Sequence, residues 1–481
     1  MRICVNIVKN IVFLMILLNS KLISQDFVRI EGSRFFRGLT PFSFLGMNAY
    51  YLQSEAAKGN RFIVDDVMRI ASENSFNVIR TWAFNDNGDE HFPGVIQTAP
   101  SLYSEEGLEA LDYVVAQAKK NNIRLILTLT NNYKDFGGIP QYIRWAEQYL
   151  NIKLSHSDFF TNDSLKNWFR RYMHTILCRT NKFTGLQYRN EPAIFSFELI
   201  NEAENTGKPY RMLLGWYNQM SSYFRQLDKN HLLSTGEAGY DCFREQYSGA
   251  DLFYNGSNFL FSGYKGTSYF YNTRLDNIDY ASYHLYPDGY GFSPAAGSTW
   301  IKEHEGLAYS ASKPALLSEF GVRTNKAEVY EQWLNSMVRN GYGSAIIWQY
   351  RHPALNYDDG FGFNETDKEL FGILTSFVSR IADTVRSAAA VPDDYQLFQN
   401  YPNPFNPVTR IKYTIPEDCY VTVELFNAIG ERVGAIEDGM KSRGTYELTL
   451  SFEDKRLGSG VYIYTLKAGT KFMSRKMLLL K

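Results

Sequence analysis

Eight short apolar runs govern what residues 26–387 can fold into. They lie at 44–50, 77–82, 124–129, 193–198, 232–235, 280–283, 315–318 and 344–348, with helical patterns between many of them. Runs this short and continuous read as strands buried on both faces, and parallel strands need a helical crossover rather than a tight turn. The clearest helix follows Ser104, an N-cap with Glu105 and Glu106 in the first turn; Leu108, Leu111, Val114, Val115 and Ala118 then share one face. A second helix is expected over 163–179. Eight βα units in this span suit a (β/α)8 TIM barrel, whose usual size is about 250 residues or more with insertions. The rival is a doubly wound open sheet; against it, no Gly-x-Gly-x-x-Gly follows the first run.

Both ends of the chain have a different character. Arg2 and Lys9 accompany the apolar run Ile11-Val-Phe-Leu-Met-Ile-Leu-Leu18. The run is too short to span a bilayer, so 1–24 reads as a secretory signal peptide, with a single-pass anchor as the rival. At the other end 388–396 reads as a linker. The segment Leu397-Phe-Gln-Asn-Tyr-Pro-Asn-Pro-Phe-Asn-Pro407 then packs Pro402, Pro404 and Pro407 closely enough to forbid a helix. After it the period becomes two: Ile411, Tyr413, Ile415; Val421, Val423, Leu425; Tyr446, Leu448, Leu450; Val461, Ile463, Thr465. Short alternating strands at this spacing imply a small immunoglobulin-like β-sandwich over 397–481. The expected division is therefore 1–24, 25–387, 388–396 and 397–481.

Composition excludes several classes. Lys+Arg 50 against Asp+Glu 51 gives a net charge of −1, without the footprint of a nucleic-acid binder. The 4 Cys rule out a disulfide scaffold, and loss of Cys4 with the leader leaves Cys178, Cys242 and Cys419. The 7 His are dispersed without a His-Glu-x-x-His, so neither a catalytic metal nor another cofactor is implied; a peripheral Ca2+ stays open. Aromatic residues make up 16% of the chain, which suits a long binding cleft or a bulky core.

In a barrel, chemistry gathers where strands end at the C-terminal face. The second run ends at Arg80-Thr-Trp82, the third leads to Asn131-Asn132, and the fourth to Asn201-Glu202. The sixth ends at His284-Leu-Tyr286, the seventh at Glu319-Phe-Gly321, and the eighth at Trp348. Two of these groups are carboxylates, Glu202 and Glu319, able to face each other across a barrel mouth. Two carboxyls flanking one bond are the equipment for glycoside hydrolysis: one protonates the leaving oxygen, the other attacks the sugar carbon or activates water. A lone Glu at a strand end is as often a cap or an ion-pair partner, His284 alone reads equally as a core histidine, and Trp348 as core. Arg80, Asn201, His284, Tyr286 and Trp348 at successive strand ends favour the catalytic reading. Glu198 and Glu204 are decoys, Glu198 being expected deeper in the barrel beside a cation.

Three segments carry a resemblance: Ala193-Ile-Phe-Ser-Phe-Glu-Leu-Ile-Asn-Glu202, Ser282-Tyr-His-Leu-Tyr286 and Lys313-Pro-Ala-Leu-Leu-Ser-Glu-Phe-Gly321. With Phe44-Leu-Gly-Met-Asn48, Val78-Ile-Arg-Thr-Trp-Ala-Phe-Asn85 and Asn131-Asn-Tyr-Lys-Asp-Phe-Gly-Gly138, they make residues 26–385 resemble glycoside hydrolase family 5, and within it the endo-β-1,4-mannanases. The resemblance implies Glu202 as general acid/base and Glu319 as nucleophile of a retaining, double-displacement hydrolysis. It implies Asn201 on the sugar 2-hydroxyl, Arg80 and Tyr286 holding Glu319 ionised and oriented, and His284 supporting the pair. Trp348 would be the sugar platform, with Asn132 and Trp82 lining the cleft. Ala203-Glu204 departs from the proline that usually follows the acid, which puts the shape of that loop in question. Alternatives are a family 5 enzyme acting on β-glucan and a non-catalytic polysaccharide-binding barrel.

At the C-terminus, Tyr401-Pro-Asn-Pro-Phe-Asn-Pro407, Val421-Thr-Val-Glu-Leu-Phe-Asn-Ala-Ile-Gly430 and Gly460-Val-Tyr-Ile-Tyr464 resemble a type IX secretion sorting domain. The rival is a generic immunoglobulin-like module. A monomer is expected, secreted or held at the bacterial cell surface by way of the signal peptide and the C-terminal sorting domain. Its partners would be a mannan-type β-linked polysaccharide and, through the C-terminal domain, the secretion machinery.

Overall fold

A computed structural model of the chain describes residues 27–480 apart from 39, 87–92, 254–258, 340–343, 389–393, 418, 442–443 and 453–456. The expected signal peptide and the middle of the expected linker lie outside the described residues. The chain divides into two compact units between Val385 and Arg386.

Eight parallel strands form the core of the first unit: β1 (Phe44–Asn48), β2 (Val78–Trp82), β3 (Arg124–Thr128), β4 (Ile194–Glu198), β5 (Leu232–Ser234), β6 (Ala281–Leu285), β7 (Ala315–Phe320) and β8 (Ser344–Ile347). Every residue of every one of them is buried. That is why the strands appear in the sequence as continuous apolar runs rather than as alternation. The hydrogen-bonded order is β5-β4-β3-β2-β1-β8-β7-β6, each strand beside its sequence neighbour and β1 beside β8, the order of a (β/α)8 barrel. The closing seam, β5 against β6, is stitched outside the ladder: Asp279 N donates to Leu233 O at 2.8 Å and His284 N to Ala238 O at 3.2 Å. Gly46 in β1 is required by close approach, since a Cβ there would meet Val78 O at 2.5 Å.

The helices form as their sequences predict. Ser104 caps Glu105–Lys120 by accepting from Gly107 N, and the helix buries Leu108, Leu111, Val114, Val115 and Ala118. Asp163–Cys178 is capped by Asn162 and buries Leu165, Phe169, Tyr172 and Ile176. Among the described residues no helix is long and apolar enough to cross a membrane.

The barrel floor is plugged by an antiparallel hairpin, Val28–Glu31 with Arg34–Arg37. Phe35 inserts among Phe44, Phe195 and Tyr280 with ring centroids 5.2–6.2 Å apart. Truncating a buried Phe of this kind to Ala costs about 3–5 kcal/mol. The floor is therefore closed by packed rings, and the opening for a ligand belongs at the other end, where the strands finish.

The second unit is a β-sandwich. One antiparallel sheet holds Gln396–Leu397, Val408–Ile415 and Gly444–Ser451; the other orders Arg432–Lys441, Cys419–Asn427, Gly460–Ala468 and Lys471–Leu479. Ile411, Tyr413, Val421, Val423, Leu425, Leu450 and Tyr464 fill a core of its own. Cys178, Cys242 and Cys419 are free thiols.

Candidate active site

The residues that close β2, β4, β6 and β7 converge on one buried cluster. Arg80, in β2, is 1% exposed and reaches three strands at once. Its Nε donates to Glu198 Oε2 at 2.8 Å, one Nη to Glu319 Oε1 at 2.5 Å and to Asn48 Oδ1 at 3.1 Å, and the other Nη to Asn201 Oδ1 at 2.8 Å. A planar fork of five donors is the group suited to such a hub. Removing it would leave two carboxylates buried without their cation, a loss of about 3–5 kcal/mol. Glu198 thus lies deeper, on Arg80 and on Thr128 Oγ1 at 2.9 Å.

Glu319 accepts from both sides. Besides Arg80, the Tyr286 hydroxyl donates to its Oε2 at 2.7 Å. Gly321 makes room for that tyrosine: a Cβ there would lie 2.8 Å from Phe361 Cδ1 and 3.1 Å from Tyr286 Cε1.

Glu202 stands opposite. Its backbone adopts φ +49°, the left-handed region that a side-chain-bearing residue enters at a cost of roughly 1–2 kcal/mol. Its N–H donates to Gly236 O at 2.7 Å, which anchors the turn to the loop after β5. His284 links the two acids, with Nδ1 2.6 Å from Glu202 Oε1 and 3.5 Å from Glu319 Oε2. One ligand atom from each of Glu202, His284 and Glu319 lies within 4.8 Å of the others. The two carboxyls are thus near neighbours across the mouth, and Glu202 is the more open of them.

Burial pushes both carboxyls above the ordinary glutamate range. The groups that pull against burial are unequal. Glu319 has His284, Arg80 and Tyr286 in its immediate shell. Glu202 feels Arg80 and Lys265 at longer range and a hydroxyl from Tyr133. Glu202 in turn raises Glu319, so the two carboxyls resist ionising together. Burial also lowers His284 to about 4, so the ring is neutral near pH 7. Its proton is assigned to Nδ1, because both neighbours of that atom are acceptors.

The remaining expected residues divide. Asn201 belongs to the cluster, with Nδ2 on Asn131 Oδ1 at 3.2 Å. Trp348 stands at the end of β8 with its ring stacked on Tyr50, 5.4 Å between centroids and 8° between planes. Trp82 is buried, packed against Tyr50 at 4.8 Å and Phe84 at 5.0 Å. Asn132 is tied into a loop contact, its Oδ1 accepting from Glu204 N at 3.1 Å. It also borders a hollow of about 370 Å3 lined by Tyr133, His156, Glu204 and Thr206 among others.

Sequence reasoning passed over several members of the cluster. Asn48 ends β1 as a buried polar residue, the same signal that marked Arg80 and Asn201. Glu204, taken as a decoy, is held by Lys265 Nζ at 2.8 Å to each oxygen and accepts from Tyr133 at 3.3 Å, right beside Glu202. Tyr133 and Lys265 come from irregular loops, where no periodicity points to them.

Comparison with known proteins is consistent with this geometry. Residues 25–364 match the family described as "GH family 5 beta-mannosidase-like", and residues 399–480 match the "Secretion system C-terminal sorting domain". The chain is 34% identical over 364 residues to mannan endo-1,4-beta-mannosidase 5 of Solanum lycopersicum, covering 70% of this chain and 84% of that protein. It is 33% identical over 370 residues to mannan endo-1,4-beta-mannosidase 2 of Oryza sativa subsp. japonica, covering 72% and 81%. Among solved structures it resembles the endo-1,4-beta-mannanase of Rhizomucor miehei, with 27% identity and a TM-score of 0.66 over 74% of this chain and 99% of that one.

Proposed function

We propose, for a chain that belongs to the β-mannosidase-like glycoside hydrolases of family 5, that Glu202 and Glu319 hydrolyse internal β-1,4-mannosidic bonds of mannan, glucomannan or galactomannan by double displacement. The observation that carries this is the carboxylate pair: one oxygen of each within 4.8 Å of the other, with only Glu319 on the Arg80 guanidinium. Retaining glycosidases hold their carboxyls about 5–5.5 Å apart, and inverting ones about 6.5–9.5 Å, to admit a water.

The steps follow from the partners. Glu319, ionised beside Arg80 and oriented by Tyr286, attacks the anomeric carbon. Glu202 gives its proton to the leaving oxygen, so the departing sugar is expelled as an alcohol. A glycosyl ester on Glu319 results. Glu202, now a base, takes a proton from water, which attacks the same carbon and releases Glu319. His284, donating through Nδ1, keeps one Glu202 oxygen engaged while the other faces the substrate. Asn201, fixed by Arg80 and Asn131, has a second amide hydrogen for the sugar 2-hydroxyl. Trp348 supplies a ring face for the sugar bound beside Glu319.

The C-terminal unit is a sorting domain that directs the chain to secretion or the cell surface. Mannan-type polysaccharide met outside the cell would then be the substrate. The test is reducing-sugar release from mannan, galactomannan and carboxymethylcellulose in parallel, with Glu319→Ala beside the wild type. Release from the two mannans, lost in the variant, is expected. Release from carboxymethylcellulose alone would turn the reading to a glucanase, and none from any would turn it to a binding barrel.

A further inference from the structure

Trp348 does not stand free at the end of β8. Its indole Nε1 donates to Asp359 Oδ2 at 2.7 Å, and the next side chain, Gln349, donates Nε2 to the same oxygen at 2.9 Å. The second Asp359 oxygen accepts from Phe361 N at 2.9 Å, closing a turn of the kind an aspartate makes two residues on. Phe361 in turn packs its ring against Tyr286, 5.3 Å between centroids at 69°, with the Arg323 guanidinium 4.3 Å from the Phe361 ring centre. Tyr286 is the residue that donates to Glu319. One side chain in the loop after β8 therefore touches both the indole at the strand end and the segment that braces the nucleophile's partner.

We propose that Asp359 is a positioning residue for sugar binding, holding the plane of Trp348 through Oδ2 and the Phe361–Tyr286 contact through Oδ1. The inference rests on the reading of Trp348 as a sugar platform. An indole free to turn about its side-chain torsions offers a sugar either an edge or a face. With its single N–H committed to Asp359 and one face stacked on Tyr50, only the other face remains for the substrate. Two N–H donors converge on one carboxyl oxygen, an arrangement that an amide NH2 at that place would oppose. Asp359 lies 11 positions beyond Trp348, so the bond also ties this loop back to the end of the strand.

A double-mutant cycle tests this. Wild type, Asp359→Ala, Trp348→Ala and the double variant are compared for KM and kcat on the β-linked polysaccharide that the wild type cleaves fastest, with a thermal melt of each. Asp359→Ala is expected to raise KM roughly tenfold with a smaller fall in kcat, the scale of losing a hydrogen bond that fixes a binding ring. Asp359→Ala is expected to cost less in the Trp348→Ala background than in the wild type, because only the Phe361–Tyr286 arm is then left to lose. Asp359→Asn, which keeps the volume and one acceptor oxygen for the indole and Gln349 donors, serves as the folded control and should lie between wild type and Asp359→Ala. An unchanged KM in Asp359→Ala, or an effect undiminished when Trp348 is already gone, overturns the inference while leaving the platform intact. An unchanged KM in Trp348→Ala instead overturns the platform reading on which it rests.

Discussion

Glu202 and Glu319 share one histidine nitrogen: Nδ1 of His284 lies 2.6 Å from the first and 3.5 Å from the second. A neutral ring has one proton to offer at that atom. It therefore cannot satisfy two carboxylates equally, and two like charges this close disfavour joint ionisation. Arg80 breaks the tie, because its guanidinium bonds Glu319 and not Glu202. The division of labour between acid and nucleophile is in this account a consequence of where one arginine points.

The two glutamates should then fail differently. Glu319→Ala is expected to lose activity on every substrate, by at least about 10²–10⁴-fold. Glu202→Ala should still form the covalent intermediate from an aryl glycoside with a good leaving group, which needs no proton. Azide should restore its turnover and yield a β-glycosyl azide. Equal losses that azide leaves unchanged in both variants would contradict the assignment.

Lys265 should help to set the alkaline side of the pH profile. After Arg80, it pulls the Glu202 proton affinity down against burial, while its own ion-pair partner is Glu204. Removing the cation in Lys265→Met raises the Glu202 pKa, so the acid keeps its proton longer. The basic limb of kcat/KM should move to higher pH, and in Glu204→Gln, which frees Lys265, to lower pH. A profile unmoved in both would show that the pair does not act on the acid.

Two acids away from the cleavage point should shape stability. Burial raises Glu237 and Glu305 each to about 8. Both bind their proton more tightly folded than unfolded. Their contribution is full below the ordinary carboxyl range near pH 4.3 and is lost as pH climbs through about 8. The melting temperature should therefore fall between about pH 5 and pH 9. Glu305→Gln should flatten that fall, the Glu305 carboxyl being buried with the Tyr283 hydroxyl donating to it at 3.0 Å. A variant with the same slope as wild type would remove Glu305 from the explanation.

Much of the barrel is legible because its strands are buried on both faces, so they show as mostly apolar runs, and several carry polar residues in or just after their last positions. Arg80, Asn201, Glu202, His284, Tyr286 and Glu319 were all found by reading those ends, and Asn48 could have been found in the same way. Tyr133, Lys265 and Asp359 could not. They sit in connections whose backbone follows no period, and their place depends on which loops fold over the mouth. Trp82, expected to line the cleft, packs on Tyr50, the same ring that stacks on Trp348. The seam between β5 and β6 was equally hidden: its bonds join loop atoms of Asp279 and Ala238, not ladder partners.

The two ends of the chain should separate cleanly from catalysis. Each unit has its own core, one around the barrel and one in the sandwich. A chain of residues 25–388 is expected to keep full activity in vitro and to lose its export in a host with type IX machinery. Lost activity with unchanged export would place the C-terminal unit inside the catalytic one.

The central claim is double displacement by Glu319 with Glu202 as acid, and the anomeric configuration of the first product tests it most directly. Proton NMR of a manno-oligosaccharide digest, followed from the first minute, should show the β-anomer of the new reducing end appear first and mutarotate to α afterwards. First appearance of the α-anomer would mean inversion and a water between the carboxylates, and would contradict the account.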